Sequence, residues 1–107
     1  MPGKFNQAAW AAAESQDTSD EAVGQLARDG LKLLRDTNAT EAQIQSVVEK
    51  CEVMAHAFAR QNLQFTDVYS SYPNPVDSAA ARKGAASARN LEAGFDNLAA
   101  QLRARLP

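Results

Sequence analysis

Apolar side chains recur along this chain at steps of three and four, the period of a helix buried on one side. The longest run places Ile44, Cys51, Phe58, Phe65 and Tyr72 at every seventh position. Val48, Ala55 and Tyr69 fill the companion position, Asn62 is its one polar member, and Val47 and Met54 widen the stripe. A second run, Ala81, Gly84, Ala88, Leu91, Phe95, Leu98, Leu102 and Leu106, repeats the same steps. Tyr72-Pro73-Asn74-Pro75 separates them. Pro73 has no amide proton to donate and Pro75 steers Asn74 away from helical angles, so the run must break there. The pattern predicts two long helices, about 40–72 and 77–106, folded into an antiparallel hairpin. Thr40 and Gln43 form a capping box at its start, and Asp77 or Ser78 is placed to cap the second helix. The stripe is weakest over Gln61 to Thr66, where a kink would fall.

Folding the run at the corner sets Ala81 to Ala88 against Tyr72, Tyr69 and Phe65. It sets Phe95, Leu98 and Leu102 against Cys51 to Ile44. Small residues oppose aromatic ones near the corner, the complementarity that a packed interface needs. Asn62 within the seam reads as a register-setting polar residue.

Two shorter helices precede the hairpin. Over about 4–15, Phe5, Ala8, Ala9 and Ala12 share a side, and Trp10 falls off it. A polar loop, Ser15 to Asp20, leads to Thr18 and Glu21, a second capping-box pair, and a helix over about 19–36. Its apolar residues Val23, Leu26, Ala27, Gly30, Leu31, Leu33 and Leu34 cover an arc of roughly 160°. Gly30 lies near the middle of that arc. A mid-helix glycine costs about 1 kcal/mol against alanine, so a close helix crossing at Gly30 is expected as its compensation. Together these elements predict an all-α, three- to four-helix antiparallel bundle, one domain over residues 1–107, dominated by the C-terminal hairpin.

Composition narrows the core without changing this picture. Of the 107 residues 22 are alanine, and Ile, Leu, Val and Phe number only 20. A core so thin suits closely packed helices and suits strands badly. Residues 1–39 carry four basic and six acidic side chains, 40–72 two and four, and 73–107 five and three. No segment has a field strong enough to make nucleic acid or an anionic membrane the default partner. The single cysteine, Cys51, excludes an internal disulfide, and neither a signal-like nor a membrane-spanning apolar run is present. A cytoplasmic protein is therefore expected. Asn38-Ala39-Thr40 matches a glycosylation sequon and is read as chance for the same reason.

The residue types that usually carry catalysis are sparse. His56 is the only histidine. Its helical position sets it among Glu49, Glu52 and Arg60, as a solvated member of a surface charge ladder. Cys51 lies about 140° from His56 around the helix, which excludes a Cys–His nucleophilic pair. The Glu-x-x-His spacing of di-iron bundles would require Glu where Val53 stands. No catalytic, metal or cofactor residue is assigned, and the chain is read as a non-enzyme. Arg82-Lys83-Gly84-Ala85-Ala86 resembles the tail of the motif in helical bundles that relay phosphoryl groups. Ala80 occupies the histidine position of that motif, so no phosphotransfer role is assigned. The basic residues Arg82, Lys83, Arg89, Arg103 and Arg105 are interrupted by Glu92 and Asp96, which disfavours a nucleic-acid face.

Several residues are surplus to a simple bundle. Trp10, Val53 and Leu63 lie off the apolar stripes. Tyr69 and Tyr72 stand at the corner. Ala93 and Ala100, with Ala86 and Ala104, line the last helix opposite its seam. The N-terminal helices packing on that strip, with Trp10 folded back as a lid, are one use of these residues. A partner interface made of Trp10, Val53, Leu63, Tyr69, Tyr72, Ala93 and Ala100 is the other. The expected function is a small non-catalytic regulatory protein docking on a larger partner, of neutraliser (antitoxin-like), chaperone or adaptor type. The alternative is a self-assembling helical structural component, a homo-oligomer.

Overall fold

The computed structural model describes residues 5–71 and 75–107; within the helices, the side chains of Val68, Tyr69, Ser71, Pro75 and Asp77 are not described. The corner residues Tyr72, Pro73 and Asn74 therefore lie outside the described residues, as does the side chain of Tyr69. Four helices follow in order: α1 Gln7–Ala13, α2 Asp20–Arg35, α3 Glu41–Ser71 and α4 Pro75–Arg103, with no strand among the described residues. The architecture is the all-α bundle with a C-terminal hairpin. At about 1.5 Å per residue, the 31 residues of α3 span about 46 Å, which accounts for most of the molecule's 53 Å length.

The α3–α4 interface is the most extensive in the molecule. Ile44, Val48, Cys51, Met54, Ala55 and Phe58 from α3 meet Ala88, Phe95, Leu98, Ala99 and Leu102 from α4, with Leu26 of α2 joining them. Phe95 stacks on Phe58, ring centroids 6.4 Å apart and planes 4° from parallel. That is one heptad nearer the corner than the sequence pairing placed it. Near the corner small meets large as expected: a Cβ on Gly84 would lie 2.7 Å from the Phe65 ring. α3 runs unbroken through Gln61 to Thr66. There Asn62 donates from Nδ2 to the Ala85 carbonyl of α4 at 2.8 Å, and its own carbonyl accepts from the Thr66 hydroxyl at 2.7 Å. The polar seam residue thus ties one helix to the other at a fixed register.

Helix ends follow their local chemistry. Thr40 and Gln43 make the reciprocal capping box: Thr40 N–H to Gln43 Oε1 at 2.9 Å, and Gln43 N–H to Thr40 Oγ1 at 3.1 Å. The Thr18–Glu21 box does not form. Ser19 caps α2 instead, accepting the Ala22 N–H at 3.2 Å, while Asp17 Oδ1 accepts the Ser19 N–H at 2.9 Å. The Ser19 backbone N–H, and after it the Ser19 side chain, hold the Asp17 carboxyl below its usual range. Thr18 turns to α3, its hydroxyl accepting from Gln61 Nε2 at 2.8 Å. α4 begins at Pro75, two residues before the expected start at 77, because proline suits the first helical position, where no amide proton is needed.

α2 crosses α4 at Gly30, where an added Cβ would stand 2.5 Å from Leu98 Cδ2. The glycine is the condition of that approach. Arg105, just beyond α4, donates from Nη1 to the Leu33 carbonyl and from Nη2 to the Asp36 carbonyl, the latter at 2.8 Å. It thereby adds a charged donor to two carbonyls at the end of α2 that already accept the Asp36 and Ala39 N–H groups. α1 lies on α3 alone. The alanine strip of α4 is not the seat of either helix: Ala86, Ala93, Ala100 and Ala104 are all exposed. The reason is that α2 is held at the neighbouring face by the Gly30–Leu98 approach, and α1 is held by polar bonds that only α3 offers.

Candidate functional site

Two places concentrate the residues that the bundle itself does not require. The first is the seat of α1. Spacing puts His56, Ala57 and Arg60 on one face of α3, and α1 lies across it. Asn6 caps α1, its Oδ1 accepting the Ala9 N–H at 3.1 Å. Its Nδ2 donates to Glu52 Oε2 at 3.2 Å, and its backbone N–H donates to His56 Nε2 at 3.0 Å. Trp10 packs at 6.4 Å from the imidazole, centroid to centroid, with Phe5 at 5.7 Å from Trp10 and 5.9 Å from His56. Arg60 covers the indole, its Cζ 4.8 Å from the ring centroid, and donates to the Trp10 carbonyl at 3.4 Å. Arg103 of α4 pairs with Glu52 and connects the cluster to the hairpin.

His56 is therefore not the solvated rung of a charge ladder. It is half-buried, and its Nδ1 stands 2.7 Å from the Glu52 carbonyl. A carbonyl only accepts, so Nδ1 carries the proton; a backbone N–H only donates, so Nε2 is bare. Both partners fix the same species, the neutral imidazole protonated at Nδ1. With both nitrogens bonded to backbone, the ring has no lone pair left for a substrate proton. The sequence signal was incomplete because the partner, Asn6, lies 50 residues away.

Cys51 is fully buried in the seam. Burial pushes its thiol up to about 11, helped by the Glu52 charge and opposed by Arg103. That is the environment of an inert core thiol. Glu92 on α4 is also raised, first by desolvation and then by Asp96, with His56 and Arg89 acting against the shift. Among the described residues no three His, Cys, Asp or Glu side chains stand together as a metal site. No helix among them is long and apolar enough to cross a membrane.

The second place is a groove of about 310 Å³ between α2 and α4. Val23, Ala27 and Leu31 form one wall; Leu91, Gly94, Phe95 and Leu98 form the other, with Asn90, Asn97 and Gln101 along the rim. No lining residue carries a charge. Leu31 is 48% exposed and Leu91 37%, so two large aliphatic side chains flank one apolar channel. Isolated exposed leucines are ordinary, whereas a shared channel is the feature that marks contact surfaces.

Of the residues singled out in the sequence, those described are spread over α1, α3 and α4. Trp10 is engaged on α3. Val53 is half-buried, Leu63 is exposed, and Ala93 and Ala100 are exposed on α4. Tyr72 and the side chain of Tyr69 lie outside the described residues. The groove was missed because Leu31 and Leu91 both counted as seam residues. Its signal was the width of the α2 arc, which is broader than one neighbouring helix covers. No protein-family model, curated protein or solved structure matches the chain, so function is argued from its own geometry.

Proposed function

We propose that this chain is a small, non-catalytic binding protein that docks on a larger protein through the α2–α4 groove. The observation that carries the reading is the uncharged groove flanked by Leu31 and Leu91. An apolar channel with an amide rim suits the apolar ridge of a partner helix, whose side chains at positions i, i+3, i+4 and i+7 seat in such channels. The rim amides can hydrogen-bond polar groups at its margin, and a charged ridge would lose its hydration there without a counter-charge. The occupied state of His56 and the burial of Cys51 support a binding role over a catalytic one.

Co-purification from the source cell, comparing the native chain with a Leu31→Gln/Leu91→Gln double variant, tests this reading. Both substitutions are at exposed positions and leave the core intact. A stoichiometric polypeptide retained by the native chain and lost with the variant is the expected result. An unchanged set of co-purifying proteins, or none with the native chain, counts against it. Light scattering on the pure chain separates self-assembly, in which mass rises with concentration and the same variant abolishes the rise.

A further inference from the structure

Asn6 is one of two points at which α1 is fastened to the hairpin, Arg60 against Trp10 being the other, and one of the Asn6 bonds depends on a titratable acceptor. Its carbonyl accepts the Trp10 N–H at 2.8 Å and its Oδ1 the Ala9 N–H. Its amide nitrogen donates to Glu52, and its backbone N–H donates to His56 Nε2. Uptake of a proton at Nε2 converts that acceptor into a donor aimed at another N–H. The charged ring carries a proton on each nitrogen, so with Nδ1 on the Glu52 carbonyl no lone pair remains for the Asn6 N–H.

Among the described residues, the charges facing the imidazole come from α3 and α4. Glu52 and Arg60 stand on its own helix, Arg103 is paired with Glu52, and Glu92 of α4 interacts with His56 electrostatically. α1 itself, Gln-Ala-Ala-Trp-Ala-Ala-Ala, brings no charge. Nothing on α1 compensates the lost bond. With seven residues, α1 is also well below the length of about 12 at which a helix persists unsupported in water.

We propose that α1 is a proton-operated latch. Neutral His56 holds it on α3; protonation at Nε2 removes the Asn6 bond and shifts α1 roughly tenfold toward its released form, in which Trp10 and the α3 face of His56, Ala57 and Arg60 are uncovered. This stands apart from the α2–α4 groove, and neither depends on the other.

Trp10 is the only tryptophan in the chain, so its emission reports the latch. In the full chain, emission is expected to move to the red as pH falls through the range in which imidazoles change charge, about 8 to 5. Over the same range the Asn6 amide should exchange roughly tenfold faster, after correction for intrinsic rates, as loss of one hydrogen bond implies. α2–α4 should keep their cooperative unfolding. His56→Gln should show no transition in this window, whether α1 is docked or free in that variant. Glu52→Gln and Glu92→Gln should each retain one. The proposal is overturned if emission is flat with pH, if His56→Gln keeps the transition, or if either carboxylate variant loses it. It is equally overturned if Trp10 intensity falls while Asn6 stays protected, since a charged imidazole left in contact would only quench the indole.

Discussion

At Gly30 an added Cβ would stand 2.5 Å from Leu98 Cδ2, whereas at Gly94 it would meet nothing within 4 Å. The two positions gain the same helix propensity from alanine, about 1 kcal/mol. Only Gly30 meets an opposing overpacking cost, of about 1–3 kcal/mol in a packed core. Urea unfolding should therefore find Gly94→Ala stabilised by about 0.5–1 kcal/mol and Gly30→Ala destabilised by about 1 kcal/mol. Cys51 supplies a pH dependence with a definite sign. Its thiol is raised from 9.0 to about 11 in the folded chain, so the unfolded chain ionises first as pH rises. The contribution is complete below pH 9 and is lost on going from about 9 to 11; replacing Cys51 by Ala should flatten that alkaline fall in unfolding curves. At neutral pH, a thiol reagent should modify Cys51 only at the rate at which the hairpin opens.

Besides Leu26 in the core, α2 is held to the α4 side of the hairpin by the Gly30–Leu98 crossing and the Arg105 clamp on the Leu33 and Asp36 carbonyls. Arg105→Ala removes the clamp, and hydrogen bonds from a charged donor are each worth about 1.5–3 kcal/mol. Solvent re-pairs the exposed Asp36 carbonyl, so a net loss of about 1–2 kcal/mol is expected. Amide exchange should accelerate at the end of α2 more than in α3. The helices, the register-setting role of Asn62 and the crossing at Gly30 were legible because each rests on local periodicity or on a residue that breaks a local rule; the continuity of α3 through Gln61 to Thr66, where the stripe is weak, was not. The seat of α1 was not legible. Asn6 and Trp10 join Glu52, His56 and Arg60 only after the chain has folded, because the two groups are bonded across 46–50 residues. Ser19 replaced Thr18 as the cap of α2 for a related reason: both can cap, and Gln61, distant in sequence, claims Thr18.

On the scale of the whole molecule, an elongated hairpin carries a clasped α1 on one helix and an apolar groove between α2 and α4. The groove is the surface on which the functional reading rests, and the exposed alanine strip of α4 is its natural control. A photo-cross-linking residue placed at Leu91 lies in the groove; the same residue at Ala93 lies on the exposed strip. Irradiation in the source cell, followed by electrophoresis of the adducts, compares the two faces in one measurement. Docking through the groove predicts a single discrete adduct with a larger polypeptide from position 91 and none from position 93. An adduct from position 93 alone, or equal adducts from both, contradicts the account.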